Sequence, residues 1–302
     1  MAAITSGNHP KLMWPGIKAI WGTTYKQRPM EWSEFLDQMD SDGSYEEMVE
    51  TTGFGLAPVK SEGAAVSYDT HAQAVVSRFT NVPYALGFIV TKEEMADNKY
   101  ARVASDRTKM LAFSVRTTEE IVGANLLNRG FNTSYTFGDG KALFRTDHPT
   151  SDGTQSNTQS TAADFSEAAL EDMLIQIANA KNTRGLQIPL VARKMVIPPN
   201  LMFDVQRVLK SELRVDTPNN DTNAVRSMGL LPDGHVVNHY LTDTDAWFIK
   251  TDAPQGWTRF NREATEFTKD NDFDTENAKA KAYVRFAIGV GDWRGGYGSP
   301  GA

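Results

Sequence analysis

The chain has 302 residues, 40% of them hydrophobic, which is enough for two domains with sizeable cores. It has no cysteine, which excludes disulfide scaffolds, thiolate metal sites and cysteine nucleophiles and is compatible with a reducing compartment. A formal net charge of −7 and a pI near 5.3 argue against wholesale nucleic-acid binding. No apolar run approaches the ~20 residues of a membrane span. The opening MAAITSGNHPKLMW lacks the layout of a signal peptide, so the chain is expected to stay soluble where it is made.

Residues 1–30 show little periodicity and carry Pro10, Pro15, Gly16, Gly22 and Pro29, which predicts an extended arm with turns. Trp14, Ile17, Ile20, Trp21 and Tyr25 need a surface to lie on, either the chain's own body or a neighbour's. Trp32, Phe35, Leu36 and Met39 follow helical spacing and predict a short helix over 31–39. Residues 51–90 have two β-prone arms around small-residue turns and predict a long hairpin. Pro58 and the glycines keep it out of a sheet interior.

Thr91-Lys92-Glu93-Glu94 is a capping box. Apolar residues then recur at helical spacing as far as Leu126, and Gly130 supplies a stop. One helix from 92 to 129 would be roughly 55 Å long, well beyond the usual globular length. Its Lys, Arg and Glu residues are read as the wet face. Residues 145–165 are polar and mark a boundary or a long surface loop. Residues 165–181 form an amphipathic helix, LVARKMVIP a buried strand, and 199–213 a second helix with Pro near its first turn. DTPNNDTN is a loop, and HVVNHYLT, AWFIKT and WTRFNREATEF are strands. An α/β region therefore spans about 145–245, between a long helix and long antiparallel strands.

The stretch DNDFDTENAKAKAYVRF, 270–286, places Asp270, Asp272 and Asp274 at alternate positions, as a calcium loop begins. The sixth position is Thr275 where Gly is required, and the twelfth is Lys281 where a bidentate Glu is required, so the loop pattern fails. Ala280, Ala282, Val284, Phe286, Ile288 and Val290 share one parity, and Lys279, Lys281, Tyr283 and Arg285 the other. That alternation predicts a half-buried strand of roughly 40 Å, about twice the ordinary length. Such a strand suits an elongated protein. A Gly-rich tail, DWRGGYGSPGA, follows.

Other motifs fail on their spacing. Gly138-Asp139-Gly140-Lys141 lacks the Gly at 135 and the Ser or Thr at 142 of a phosphate loop, and reads as a β-turn. Asp147, His148 and Ser151 are near in sequence, but no Gly-x-Ser-x-Gly elbow accompanies them. His235 and His239, four apart in a β-rich segment, stand ~13 Å from each other, too far for one metal. Asn132-Thr133-Ser134 is a sequon without a secretion signal. No catalytic residue, metal ligand or cofactor site is assigned. What remains is an α+β chain ordered as arm, hairpin, long helix, inserted α/β domain and long strands.

That order resembles the major capsid proteins of tailed bacteriophages, the Hong Kong ninety-seven fold, and within them the Mu-like major head subunit group. The likeness is carried by residues 229–301, from GLLPDGHVVNHY to DWRGGYGSPG, with KMVIPPNLMFDVQRVLKSEL at 194–213 and DHPTSDG at 147–153. The resemblance implies an N-terminal arm at 1–50, an E-loop hairpin at 51–90, and a P-domain spine helix with its following segment at 91–144. It implies an axial A-domain at 145–245, then P-domain strands and the C-terminal tail at 246–302. It also implies that arm and E-loop lie across neighbouring subunits, so Trp14, Ile17, Trp21, Tyr25, Phe54, Lys60, Arg78 and Phe79 are the candidate inter-subunit contacts.

The function so implied is a structural shell subunit, not an enzyme. It would form hexamers and pentamers of an icosahedral virion capsid around packaged double-stranded DNA, bound without sequence specificity, and would assemble in the host cytoplasm away from membranes. Its expected partners are itself, a portal, decoration proteins and a separate scaffolding protein. Some relatives carry a cleavable scaffolding segment ahead of the arm, whereas this chain starts in the arm, which points to a processed product or a separate scaffold. Some relatives crosslink through an E-loop Lys. Lys60 lies in that region, but no catalytic Glu can be assigned to it, and it reads as a solvent or interface lysine. The alternatives are an encapsulin-like compartment of the same fold and a metal-dependent enzyme using Asp270, Asp272 and Asp274.

Overall fold

The computed structural model describes residues 14–91, 93–94, 100–214, 221–272 and 277–302. Two sheets and the helices packed on them make the body. The first sheet has β10 (Trp257–Asn271) and β11 (Ala278–Val290) at its centre, β1 (Asp37–Asp40) on one edge and β4 (Val82–Val90) on the other. β10 and β11 pair antiparallel from Trp257↔Val290 to Asn271↔Ala278, with bulges between Asn261 and Glu266, and β1 runs parallel to β10. The alternation expected in β11 is present. Ala278, Ala280, Ala282, Val284 and Phe286 are buried, while Lys279 and Lys281 are exposed.

Two helices cover that apolar face. α1 (Trp14–Tyr25) supplies Ile17 and Trp21, and α2 (Tyr100–Asn128) supplies Ala104, Leu111, Ala112 and Val115. The small alanines of β11 let the helices approach closely, and each large side chain buried here contributes about 1.5–3 kcal/mol. Thr91 Oγ1 accepts from the Glu94 amide at 3.4 Å, in keeping with the capping box. Residues 92 and 95–99 lie outside the described residues. Gly130 follows the helix, and its service is close packing: a Cβ there would stand 2.5 Å from the Phe144 ring.

The second sheet has the order β12 (Gly296–Ser299), β9 (Trp247–Thr251), β7 (Ala192–Ile197), β8 (His235–Val237), with only β7 and β8 parallel. One face packs on α3 (Glu167–Ala178), α4 (Met202–Lys210) and α5 (Ala224–Met228) through Leu170, Met173, Ile177, Met195, Val205, Trp247 and Tyr297. Ser166 caps α3 by accepting from the Ala169 amide at 3.2 Å. Asn223 caps α5, which ends at Gly229 with φ 62°. The other face turns Val196 and Phe248 toward Trp32, Phe35, Leu127, Phe144 and Trp257, a third cluster that welds the two sheets together.

Four expectations need correction. The arm is helical over Trp14–Tyr25, because Pro15 sits in the first turn, where it is tolerated, and burial of Ile17 and Trp21 outweighs the glycines. Residues 31–39 form a single 3₁₀ turn at Trp32–Glu34 and then β1, leaving Met39 exposed. The hairpin is β2 (Tyr45–Thr51) with β3 (Gln73–Thr80), whereas Val82–Val90 joins the first sheet as β4. Finally, β9 and the Gly-rich tail belong to the α/β sheet, so 246–251 and 296–299 do not pair with the long strands. Residues 1–13, 215–220 with the first five positions of the DTPNNDTN loop, and 273–276 of the acidic turn lie outside the described residues.

Candidate functional site and assembly surfaces

The hairpin leaves the body from a rigid root. Phe79 of β3 stacks on Phe260 at 5.3 Å and joins Met48 and Ala287 in a small buried cluster. Gly289 makes room for it, since a Cβ there would stand 2.0 Å from the Phe79 ring. Gly138 plays the same part against Ser77 and Val75. On the open face of the hairpin, Arg78 pairs with Glu47 at 2.7 Å and lies over the Tyr45 ring at 4.4 Å.

Beyond Thr51 and Gln73 the ladder stops, and 52–72 runs as an irregular loop. The Phe54 ring meets that of His71 edge-on at 5.6 Å. Leu56, Val59 and Tyr68 are 81%, 97% and 93% exposed, and Val66 and Lys60 are exposed as well. Exposed apolar side chains are thus gathered on one projecting element, the pattern expected of a contact surface.

Buried charge braces the root. Arg294, 2% exposed, donates Nη1 to Glu50 Oε1 at 3.0 Å and to Asp292 Oδ1 at 3.1 Å, and Nε to the Lys181 carbonyl at 2.8 Å. Burial, and then the neighbouring Asp292 carboxylate, push the Glu50 carboxyl above its ordinary range. Beside it, His148 is buried with Nδ1 against Asp139 at 2.6 Å and Nε2 against Asn157 Oδ1 at 3.1 Å, stacked on Trp293 at 4.5 Å.

The long helix α2 departs from the expected polarity in part: Asp106 and Lys109 are exposed, but Arg116, Glu119 and Glu120 are buried. Glu119 pairs with Arg259 at 2.7 Å and Glu120 with Arg116 at 2.8 Å, all four buried. Glu120 also accepts the Glu31 and Trp32 amides. Tyr25 donates its hydroxyl to Glu119, and burial and that carboxylate push the phenol up to about 12. The helix also exposes Met110, Phe113 and Ile121. Further exposed apolar groups, Met202, Phe203 and Met228, stand on the α/β unit.

Of the eight contact candidates, Ile17, Trp21 and Phe79 lie in the chain's own cores, and Tyr25 is tied to α2. Trp14 opens α1. Phe54, Lys60 and Arg78 remain on the open surface, on one projecting element. Sequence reading missed Leu56, Val59, Val66 and Tyr68 of the same loop. Their signal was present as apolar residues without strand alternation among glycines and alanines.

The rejected chemical motifs are accounted for in turn. Asp147 pairs with Lys141 and Arg145, whose hydrogen bonds hold its carboxyl down at about 2. Ser151 donates to the Thr183 carbonyl, so Asp147, His148 and Ser151 serve separate partners. His239 Nδ1 meets Glu31 at 2.8 Å. The 138–141 segment is a turn with Gly140 at φ 76° and Asp139 accepting the Lys141 amide. Asp272 pairs with Lys279, and Asp274 lies outside the described residues. Among the described residues no cluster of three His, Asp or Glu side chains is placed to hold a metal.

Comparison with known proteins bears on these surfaces. A family model described as phage capsid protein matches residues 76–299. No curated protein matches the chain in sequence. Among solved structures, the chain is similar to the capsid of a native GTA particle (TM-score 0.56, 10% identity, 89% of each chain). It is similar to the capsid of Myoviridae phage XM1 (TM-score 0.52, 10% identity, 91% of this chain and 92% of that one). It is also similar to a virus-like particle from Pyrococcus furiosus (TM-score 0.54, 10% identity, 95% and 98%). These likenesses show the fold, the mixed α+β Hong Kong ninety-seven architecture. The family match covers most of the chain, including β4, α2 and, apart from β1, every strand of both sheets, and the protein is therefore a member of the phage capsid protein family, a structural component of a virion shell.

Proposed function

We propose that this chain is the major shell subunit of a tailed phage, forming hexamers and pentamers that close into an icosahedral head around double-stranded DNA. One observation carries the reading beyond family membership. The loop 52–72 projects Leu56, Val59, Val66 and Tyr68 into solvent from a root fixed by Phe79, Phe260 and the Arg294–Glu50 pair. A monomer would leave that surface wet, and a neighbouring copy covers it. The protein works by self-association and performs no reaction of its own. Lys60 is an interface or solvent lysine. A separate scaffold, a portal and decoration proteins complete the assembly in the host cytoplasm, and the acidic chain encloses DNA without reading its sequence.

An enzyme-holding compartment of the same fold is the second reading. The likeness to a virus-like particle favours it only at the level of fold, and the phage capsid family match favours the virion. Electron microscopy of purified protein, with light scattering on a sizing column, tests the proposal. Closed shells or capsomers are expected. A monodisperse monomer at high concentration, with and without a scaffold, would overturn it, and particles that never hold DNA in infected cells would favour the compartment.

A further inference from the structure

The two limbs of loop 52–72 are held together and held down at one place away from the hairpin root, by the turn 181–187 of the α/β unit. That turn is rigid. Asn182 donates its amide to the Leu186 carbonyl at 2.8 Å, and its Oδ1 accepts the Arg184 and Leu186 amides at 2.9 Å each. The hairpin of β5 (His148–Thr150) and β6 (Gly153–Gln155) pins it from behind: Gln155 donates to the Asn182 carbonyl at 2.9 Å, and Ser151 to that of Thr183. Gly185 has φ 79° and lies against Asp152, whose carboxylate oxygen would be 2.0 Å from any Cβ, so glycine is required for the turn to close.

What this turn presents is Arg184. Its Nη1 donates to Asp69 Oδ2 at 2.8 Å and its Nη2 to the Thr70 carbonyl at 2.7 Å. The same Asp69 oxygen accepts the Gly55 amide at 2.8 Å from the opposite limb of the loop, and Thr183 donates to the Thr52 carbonyl at 3.2 Å. Asp69 is therefore a staple across the loop, and Arg184 fastens the staple to the body. The clamp does not shelter the apolar side chains: Leu56, Val59, Val66 and Tyr68 stay exposed with it closed. It acts on the backbone and leaves the contact surface open.

We infer that Arg184, held by the 181–187 turn, is a positioning residue that presents the loop of its own subunit for docking on a neighbouring copy, an inference that rests on the shell reading above. Ordering a long loop at the moment of docking costs free energy, and a loop already held in an extended course pays less of it. A two-pronged guanidinium contact gives direction. Being partly exposed, it remains weak enough to yield when the loop meets its neighbour.

The test uses cleavage by a lysine-specific protease after Lys60, the one lysine of residues 52–72. Removing Arg184 creates or destroys no site for that enzyme. In unassembled full-length protein, Arg184→Ala and Asp69→Ala should each speed this cleavage roughly twofold to fivefold, the effect of losing one partly exposed charged contact. The double variant should be cleaved less fast than the product of the two single accelerations, because the Arg184–Asp69 contact is lost in each single variant. The melting temperature should stay within about 2 °C of wild type, which separates a loosened loop from a loosened fold. Both variants should assemble more slowly and need a higher protein concentration to do so. Unchanged cleavage in both variants would overturn the clamp. Faster assembly by Arg184→Ala would overturn presentation, because the contact would then be restraining the loop. If wild-type protein never assembles, the shell reading fails on its own, and the cleavage rates still decide whether the clamp exists.

Discussion

Glycine at 289 carries a packing decision that no side chain could share. Phe79 fills the space its Cβ would take, and Phe79 in turn stacks on Phe260 to hold the hairpin root. Gly289→Ala should cost about 1–3 kcal/mol by overpacking. Phe79→Leu should recover part of that cost, so the double variant should be more stable than the sum of the singles predicts, as chemical denaturation would read. Glu50 permits a second prediction. Its carboxyl is raised by burial and then by Asp292, so the folded state holds the proton more tightly than the unfolded chain does. The stability this group contributes is full below the ordinary carboxylate value and is lost as pH rises through the raised one. Glu50→Gln keeps an acceptor for Arg294 and removes the charge. Relative to wild type it should melt higher at about pH 8, with the difference fading toward about pH 4, below the ordinary Glu value. A pH-independent difference between the two would refute this account of Glu50.

At the scale of elements, β11 is the central long strand, paired with β10 on one side and β4 on the other. Val284 is buried under the helices and opposite Tyr84 of β4. Val284→Pro removes a donor from an interior strand and clashes with its neighbour, so it should prevent folding and leave insoluble protein. Asp272→Asn, at the end of the same strand pair, changes one partly exposed charge and should cost within roughly 0.5 kcal/mol. Abolished assembly in Asp272→Asn, with calcium restoring chelated wild-type protein, would revive the metal reading. The strand itself was legible in the alternation of Ala280 to Val290, because one face packs on helices while the other meets water. α2 was legible as a helix but not in its orientation. Glu119, Glu120 and Arg116 look like a wet face in one dimension, and it is distant partners, Arg259 and Thr265 of β10, the Tyr25 hydroxyl and the amides at 31 and 32, that give them a reason to be buried.

For the whole molecule, the division of labour is a welded body and a projecting loop. The three large clusters join both sheets and helices α1 to α5, and the loop 52–72 adds little to them. Replacing residues 55–68 by a short Gly-Ser turn should therefore leave the melting temperature within about 2 °C. The same deletion should abolish shells, as electron microscopy would show. Intact shells from the deleted protein would move the assembly surface elsewhere, to the outward side of α2 or to Met202, Phe203 and Met228 of the α/β unit.

By itself the sequence determined the classes of element and their order. A period of two in β11, a period near 3.6 in α2 and α3, and the capping box at Thr91 are local signals, set by which side of a strand or helix meets water and by which residues lie within one turn. It also determined what is absent from the chain's chemistry, since no cysteine exists and the calcium-loop and phosphate-loop spacings fail at Thr275, Lys281, Tyr135 and Ala142. Tertiary structure alone decided partnership. That Gly296–Ser299 adds to β9, that Val82–Val90 leaves the hairpin for β11, and that Arg184 grips Asp69 from 115 residues away are choices between distant surfaces. The two strand choices are settled by which pairing buries more apolar area and leaves fewer backbone groups unsatisfied, and the Arg184 contact by which charged groups the fold brings together, comparisons no local window contains.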